Sequence, residues 1–290
     1  MSWRTVVISS SAKLDYQLGF MVIRKSDVVK IHISEILILI IETTAVSLTT
    51  ALLSELTKKK VKVIFCDEKR NPSSELISYY GSHDTSMKIR NQIQWDDELK
   101  AAIWTEIVSD KIRKQAEVLE SKGLKESEML YEYINEIEFG DVTNREGHAA
   151  KVYFNALFGM DFTRTAENSI NAALNYGYSI ILSAFNREIV ANGYITQLGL
   201  FHKNMFNQFN LGSDIMEPFR PLVDKKVQYM MPEKFEHEEK MEILQILQQE
   251  VIIAGRNEYV SNAIKIYCKS IFDALNDRDI SLIKFYKNEL

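Results

Sequence analysis

Between residues 145 and 224 the chain gathers, at defined spacing, almost every residue type able to do difficult chemistry. The stretch opens with Arg145-Glu146-Gly147-His148-Ala149-Ala150-Lys151-Val152-Tyr153-Phe154 and runs through Leu174-Asn175-Tyr176-Gly177-Tyr178. It closes with Gly199-Leu200-Phe201-His202 and Ser213-Asp214-Ile215-Met216-Glu217-Pro218-Phe219-Arg220-Pro221, followed by Asp224. Glu146, His202 and Glu217 offer oxygen and nitrogen donors that only a fold can bring together. One imidazole with two carboxylates and no nearby thiolate suits Mg²⁺ or Mn²⁺ better than a structural zinc. A divalent ion so held can polarise a phosphodiester, activate a hydroxyl nucleophile and stabilise the leaving oxygen.

Each of these residues also has a structural reading. A Glu at a helix start complements the helix dipole, and a lone His is commonly structural. The neighbours favour chemistry. Small residues beside Glu146 leave room for something to approach closely. Pro218 and Pro221 restrict helical bonding just after Glu217 and suit a helix that begins there. Glu217 would then stand at a helix mouth, where backbone N–H groups can face a phosphate.

Arg-Glu-Gly-x-Ala-Ala-x-x-Tyr-Phe, Leu-Asn-Tyr-Gly-Tyr, Gly-x-x-His and Asp-x-x-Glu-Pro-Phe-Arg-Pro, in this order, resemble the CRISPR-associated spacer integrases, the Cas-one family. The wording of the motifs looks most like the type II-A subfamily. The resemblance spans essentially the whole chain and implies that Glu146, His202 and Glu217 are the metal ligands and catalytic residues, although many members have Asp where this chain has Glu217. Asp214 matches a second acidic position in the family and is expected behind the ligands or as a helix cap. His148, two residues along a helix from Glu146, points to another face and is expected not to be a ligand. His32, His83 and His237 stand outside the motifs and are expected to be structural or solvated.

Lys203 and Arg220 lie beside the ligands in sequence and are the foremost candidates for holding a DNA phosphate, Arg as a fork and Lys as a point charge. Asn175 could hydrogen-bond a ligand carboxylate from behind. Tyr176 could orient a phosphate or stack on a base, or equally fill the helical core. Arg164 joins Arg145, Lys151, Arg187, Lys225 and Lys226 as further cations available to phosphates. The reaction implied by the resemblance is transesterification, in which the 3′-hydroxyl of a short DNA fragment attacks a phosphodiester at the edge of a CRISPR repeat. The resemblance also implies double-stranded DNA as partner, a homodimer, and two such dimers flanking a dimer of the companion Cas-two protein, with the type II effector nuclease as a further possible partner. Two other readings share some of these residues: a helical metal-dependent phosphohydrolase of small phosphate esters, and a non-catalytic DNA-binding adaptor.

The elements that must position these residues fall into two textures. Residues 5–8, 14–18, 20–23, 29–33, 36–41 and 61–66 are β-branched, alternating or continuously apolar and predict strands, with 36–41 buried on both faces. Leu48, Leu52, Leu53 and Leu56 predict a helix over 47–56, and residues 67–72 a turn. From Met87 onward Ile89, Ile93, Leu99, Ile103, Ile107 and Ile112 recur at helical intervals. The expected class is therefore α+β: a small, mainly β domain over 1–86 followed by a larger all-α domain over 87–290, and the resemblance implies the same division, with the first domain used for dimerisation and the second catalytic.

The formal net charge of −5 argues at first against a DNA-binding protein. The surplus lies mainly elsewhere: residues 91–144 hold 6 basic and 13 acidic residues, whereas residues 145–226 hold 8 and 7. Many of those cations are ordinary solvated charges, but enough remain to meet phosphates. The 2 cysteines, Cys66 and Cys268, stand outside any metal-ligand spacing and fit a reduced, cytoplasmic setting. The first residues lack the zones of a signal peptide, and the apolar run 36–41 is too short for a bilayer, so no membrane association is expected.

Overall fold

The computed structural model describes residues 4–79 and 82–288. Residues 1–3, which open the segment read for a signal peptide, lie outside the described residues, as do 80, 81, 289 and 290 within the expected domains. The chain divides into two compact units, one of residues Met1–Thr85 with Asn186–Tyr194, the other of Ser86–Phe185 with Ile195–Leu290.

In the first unit, strands β1 (Arg4–Ile8), β5 (Ile36–Ile41), β7 (Lys62–Cys66) and β8 (Pro72–Leu76) form one sheet in that order. Strands β4 (Val28–His32), β3 (Phe20–Arg24), β2 (Ala12–Gln17) and β6 (Val46–Leu48) form a second sheet. The inner strand β5 pairs in parallel with β1 and β7, which explains its unbroken apolar sequence: all six residues are buried. β2 instead alternates, with Ala12 and Leu14 inward and Lys13 outward. Ile8, Leu14, Met21, Ile36, Leu39 and Val63 share one core with Leu52 and Leu56 of helix α1 (Thr50–Lys58).

Several boundaries differ from expectation for local reasons. The helix expected from residue 47 begins at Thr50, because Thr49 caps it through its side chain, 3.3 Å from the Leu52 N–H. Leu48 pairs with Leu14 as a strand residue. Leu18 leaves the strand for the hairpin turn, where it and Gly19 take φ of 47° and 88°. Pro72 does not end the turn at 67–72 but starts the edge strand β8, a place where a missing N–H costs nothing.

The second unit is built around α3 (Asp97–Glu120), whose Asp96 cap accepts from the N–H groups of Glu98 at 2.9 Å and Leu99 at 3.2 Å. Ile103, Trp104, Ile107, Val108 and Ile112 of α3 are fully or almost fully buried. Against it pack α4 (Glu126–Asn135), α5 (Arg145–Phe158), α7 (Asn210–Ile215), α8 (Arg220–Met230) and α10 (Val260–Asp277), and the unit also holds α9 (His237–Leu244), nearly all of α2 (Thr85–Ile93) and α6 (Ser169–Ala191) as far as Phe185. One antiparallel hairpin, β9 (Glu250–Ile253) with β10 (Arg256–Tyr259), interrupts the helices and turns at Ala254-Gly255. The fold is α+β, strand-rich first and helical after. Among the described residues no helix is long and apolar enough to cross a membrane.

Candidate active site

Glu146 stands in the first turn of α5, and the chain before it is built to hold that turn. Asn144, at φ 54°, caps the helix by accepting from the Gly147 N–H at 3.3 Å. Asp141 accepts from the N–H groups of Arg145 at 2.7 Å and Glu146 at 3.1 Å. A Cβ on Gly147 would sit 2.7 Å from the Asn144 amide, so that glycine makes room for the cap rather than for a ligand.

Glu217 opens a one-turn 3₁₀ segment, Glu217–Phe219, between α7 and α8, and is buried. Lys111, from the middle of α3, ties the two carboxylates together. Its Nζ donates to Glu146 Oε1 and lies 2.5 Å from Glu217 Oε2. The other Glu217 oxygen accepts from Arg220 Nε at 2.8 Å. Burial works against ionising Glu217, yet the charges of Arg220 and Lys111 prevail and hold its pKa below the usual carboxylate value. Burial likewise works against the Lys111 ammonium, and the carboxylates of Glu217 and Glu146 overcome it and raise its pKa.

These groups line a cleft of about 180 Å³ with Gln115, Phe154, Arg164, Tyr178 and Asp224. The Arg220 guanidinium lies 4.5 Å from the centre of the Tyr178 ring, and the Tyr178 hydroxyl donates to Asp224 Oδ1. Burial pushes the Asp224 carboxyl up to about 6, against the Tyr178 hydrogen bond and the neighbouring cations.

His202 is set by a separate device. Asp214, fully buried, accepts from the backbone N–H groups of Leu200 at 2.7 Å, Phe201 at 2.9 Å and His202 at 3.3 Å, and its other oxygen meets His202 Nδ1. A Cβ at Gly199 would come within 2.6 Å of both Asp214 Oδ2 and the His202 carbonyl, so this loop closes only over glycine. The hydrogen bond to Asp214 raises the His202 pKa against burial, helped by the charges of Asp214, Glu217 and Glu146. The imidazole thus lies within the field of both glutamates and turns its Nδ1 away to Asp214. Among the described residues no three His, Cys, Asp or Glu side chains converge as a metal-holding group. Glu146 and Glu217 converge on the Lys111 ammonium instead. Two carboxylates aimed at one buried positive charge, with the charge of both felt by a His202 imidazole that lines the neighbouring hollow and is fixed through Nδ1, are donor types that suit a hard divalent cation.

The remaining expected residues divide. Arg164 lines the cleft, held by Asn171 and, at 2.7 Å, by Asn175 Oδ1. Asn175 therefore supports a cation, not a ligand carboxylate as expected. Tyr176 is 4% exposed and packs 5.6 Å from the Phe235 ring, the core position that was its alternative. Tyr178 reaches the cleft in its stead. Lys203 is exposed on the loop beside His202 and lines a neighbouring hollow with Lys100 and Asn204. Arg145 pairs with Glu136 at 3.0 Å, Lys226 with Glu242 at 2.8 Å, and Arg187 with Glu188, while Lys151 and Lys225 are exposed. His148 and His83 are exposed, His237 is half-buried, and His32 contacts Ser34 at 2.6 Å. Lys111 and the Tyr178–Asp224 pair escaped notice as site residues. The Tyr178 and Asp224 signals were present in the motifs, whereas nothing local distinguishes Lys111 from other helix lysines.

Residues 5–245 match the family described as CRISPR associated protein Cas1, and the chain belongs to that family. It is 35% identical over 229 residues to the CRISPR-associated endonuclease Cas1 of Neisseria meningitidis serogroup C (strain 8013), covering 78% of this chain and 75% of that protein. Its fold is shared with a Cas1 protein from Thermotoga maritima at a TM-score of 0.78 and 18% identity, over 94% of this chain and 97% of that one. A casposase bound to its integration product has the same fold at a TM-score of 0.78 and 17% identity, over 96% of this chain and 91% of the casposase.

Proposed function

We propose that this Cas1 chain is a divalent-metal-dependent DNA endonuclease and integrase of CRISPR adaptation, joining the 3′-hydroxyl ends of short DNA fragments to the ends of CRISPR repeats. The observation that carries the reading is the convergence of Glu146 and Glu217, 71 residues apart in sequence, on one buried cationic position, with His202 within the field of both carboxylates. The naming of the Neisseria relative as an endonuclease supports the same reading.

Glu146, Glu217 and His202 would hold Mg²⁺ or Mn²⁺, which when bound polarises the attacked phosphate and gathers negative charge from it. Asp214 fixes the imidazole so that Nε2 is the nitrogen left for a ligand. Arg220 and Arg164 face the same cleft and would receive the non-bridging oxygens of the phosphate, while Lys203, on the neighbouring hollow, would meet the DNA backbone beyond it. The 3′-oxygen forms a bond to phosphorus as the bond to the repeat's own 3′-oxygen breaks, and the proton passes from one oxygen to the other. The number of ester bonds is conserved, so no energy source is needed. With water in place of the 3′-hydroxyl the same site is a nuclease. Attack at both repeat ends calls for two active sites, hence a homodimer and the companion Cas2 protein as spacer.

Chelation separates the readings. With EDTA the chain should keep its affinity for DNA within a factor of a few while all cleavage and joining stop, and His202→Ala should reproduce that loss with Mn²⁺ present. Turnover of p-nitrophenyl phosphate without any action on DNA would move the reading to a small phosphohydrolase. DNA binding with no metal-dependent chemistry would make the chain an adaptor.

A further inference from the structure

We propose that the Lys111 ammonium is a built-in occupant of the cation position between Glu146 and Glu217, which a divalent ion must displace to load the site. The inference rests on the reading above, that these two carboxylates hold the ion. Lys111 comes from α3, which supplies none of the expected ligands, and its side chain is 7% exposed. Its ammonium engages one oxygen of each glutamate, while Arg220 takes the remaining oxygen of Glu217 at 2.8 Å. Each Glu217 oxygen thus faces a cation, and Oε2, which is buried and close to the ammonium yet accepts no hydrogen bond, is the oxygen a metal would take if Lys111 withdrew. Arg220 is anchored by three further features: it sits in the turn next to Glu217, stacks on Tyr178, and faces Asp224. Lys111 makes its two ion pairs from the end of a flexible stem, with no such further anchor among the described residues, so it is the cation that leaves.

The arrangement has a physical reason. Without a positive charge between them, Glu146 and Glu217 would repel each other beside a third carboxylate, Asp224, in a largely buried cleft. A lysine supplies that charge reversibly, because a single ammonium on four methylenes can retreat along its stem, which a guanidinium fork holding two oxygens cannot do as freely. A divalent ion and an ammonium on the same oxygens repel, so occupancy by one opposes occupancy by the other. A merely structural ion pair would behave differently, since its removal would distort the glutamates and weaken any metal.

The test measures Mn²⁺ binding to the full chain by the loss of the free-Mn²⁺ electron paramagnetic resonance signal, in wild type, Lys111→Met, Lys111→Arg and Glu146→Gln. Removing the competitor should tighten Mn²⁺ binding on the order of tenfold in Lys111→Met, within the usual span of coupling between two ligands of one site. Lys111→Arg should bind more weakly than Lys111→Met, and Glu146→Gln should lose binding. Because Lys111→Met could fail to fold, wild type is also labelled with a small amine-reactive reagent and read at Lys111 by mass spectrometry. Mn²⁺ should raise that labelling several-fold. Equal or weaker Mn²⁺ binding in Lys111→Met, or labelling unchanged by Mn²⁺, overturns the inference while loss of binding in Glu146→Gln keeps the ligand assignment. Absence of binding in wild type and Lys111→Met alike overturns both.

Discussion

Asp214 and Asp224 are both fully buried aspartates of the site, and their environments set them opposite tasks. Asp214 is surrounded by donors: the N–H groups of Leu200, Phe201 and His202 and the His202 ring all point to it. Asp214→Ala strands those donors at a cost of about 3 kcal/mol or more in urea unfolding, and His202 is released with them. A cost below about 1 kcal/mol would mean that water replaces the carboxylate. Asp224 is instead dominated by burial, which lifts it from 3.8 to about 6. A carboxyl whose pKa is higher folded than unfolded favours the folded state at low pH, and that contribution disappears as pH rises from about 4 through 6. In chelator, the stability of Asp224→Asn relative to wild type should therefore climb across this window by at most roughly 3 kcal/mol, offset by a pH-independent change in the Tyr178 bond. A flat difference would show that Asp224 is ionised at no cost. At this scale the sequence revealed donor types but not orientation. Glu146, His202 and Glu217 stood out as candidates because carboxylates and imidazole among small residues and prolines are conspicuous. Tyr176 and Tyr178 carry the same chemistry two positions apart, and only the rotation of α6 decides that the second meets the cleft. Lys111 reads like any lysine of a long amphipathic helix, since burial beside two glutamates 35 and 106 residues away leaves no local trace.

Helix α6 is pressed against its neighbours through a glycine. A Cβ at Gly177 would lie 2.4 Å from Val223 Cγ1 and 3.3 Å from Ile243 Cγ2, both side chains in the core. Gly→Ala inside a helix ordinarily stabilises by up to about 1 kcal/mol, but Val223 is β-branched, buried and unable to step aside. Gly177→Ala should therefore destabilise by about 1–3 kcal/mol in urea titration, and because α8 follows directly on Glu217 it should also displace that carboxylate. A stabilised Gly177→Ala would mean that α6 and α8 can part at no cost. Elements with strong patterns were legible in the sequence: the continuous β5, the alternating β2 and the long α3. Short ones were not. Val46–Leu48 looked like the start of a helix because Leu48 continues the spacing of Leu52 and Leu56, and only the Thr49 cap and the pairing with Leu14 separate them. The hairpin Glu250–Tyr259 holds four residues per strand, too few for a period to emerge, and its turn at Ala254-Gly255 is its one sequence mark.

The acidic surplus of the chain is concentrated in residues 91–144, whereas the stretch 145–226 is nearly balanced, so the net charge is a poor guide to what the candidate site could bind. The change of texture near Met87 is visible in the sequence, but that Asn186–Tyr194 should belong with the strand-rich unit is not, because α6 carries an uninterrupted helical pattern through both assignments. The central claim is that Glu146 acts as a metal ligand in DNA joining. It is tested most directly by transfer of a short labelled duplex into a supercoiled, repeat-containing plasmid, with the proposed Cas2 partner and Mn²⁺, comparing wild type with Glu146→Gln. The variant keeps the side chain's shape and the hydrogen bond to Lys111 while removing the ligand charge. Wild type should join both strands, and the variant, with an unchanged circular dichroism spectrum, should lose joining by about a thousandfold or more, as removal of a principal electrostatic group does. Joining by Glu146→Gln at the wild-type rate would contradict the account.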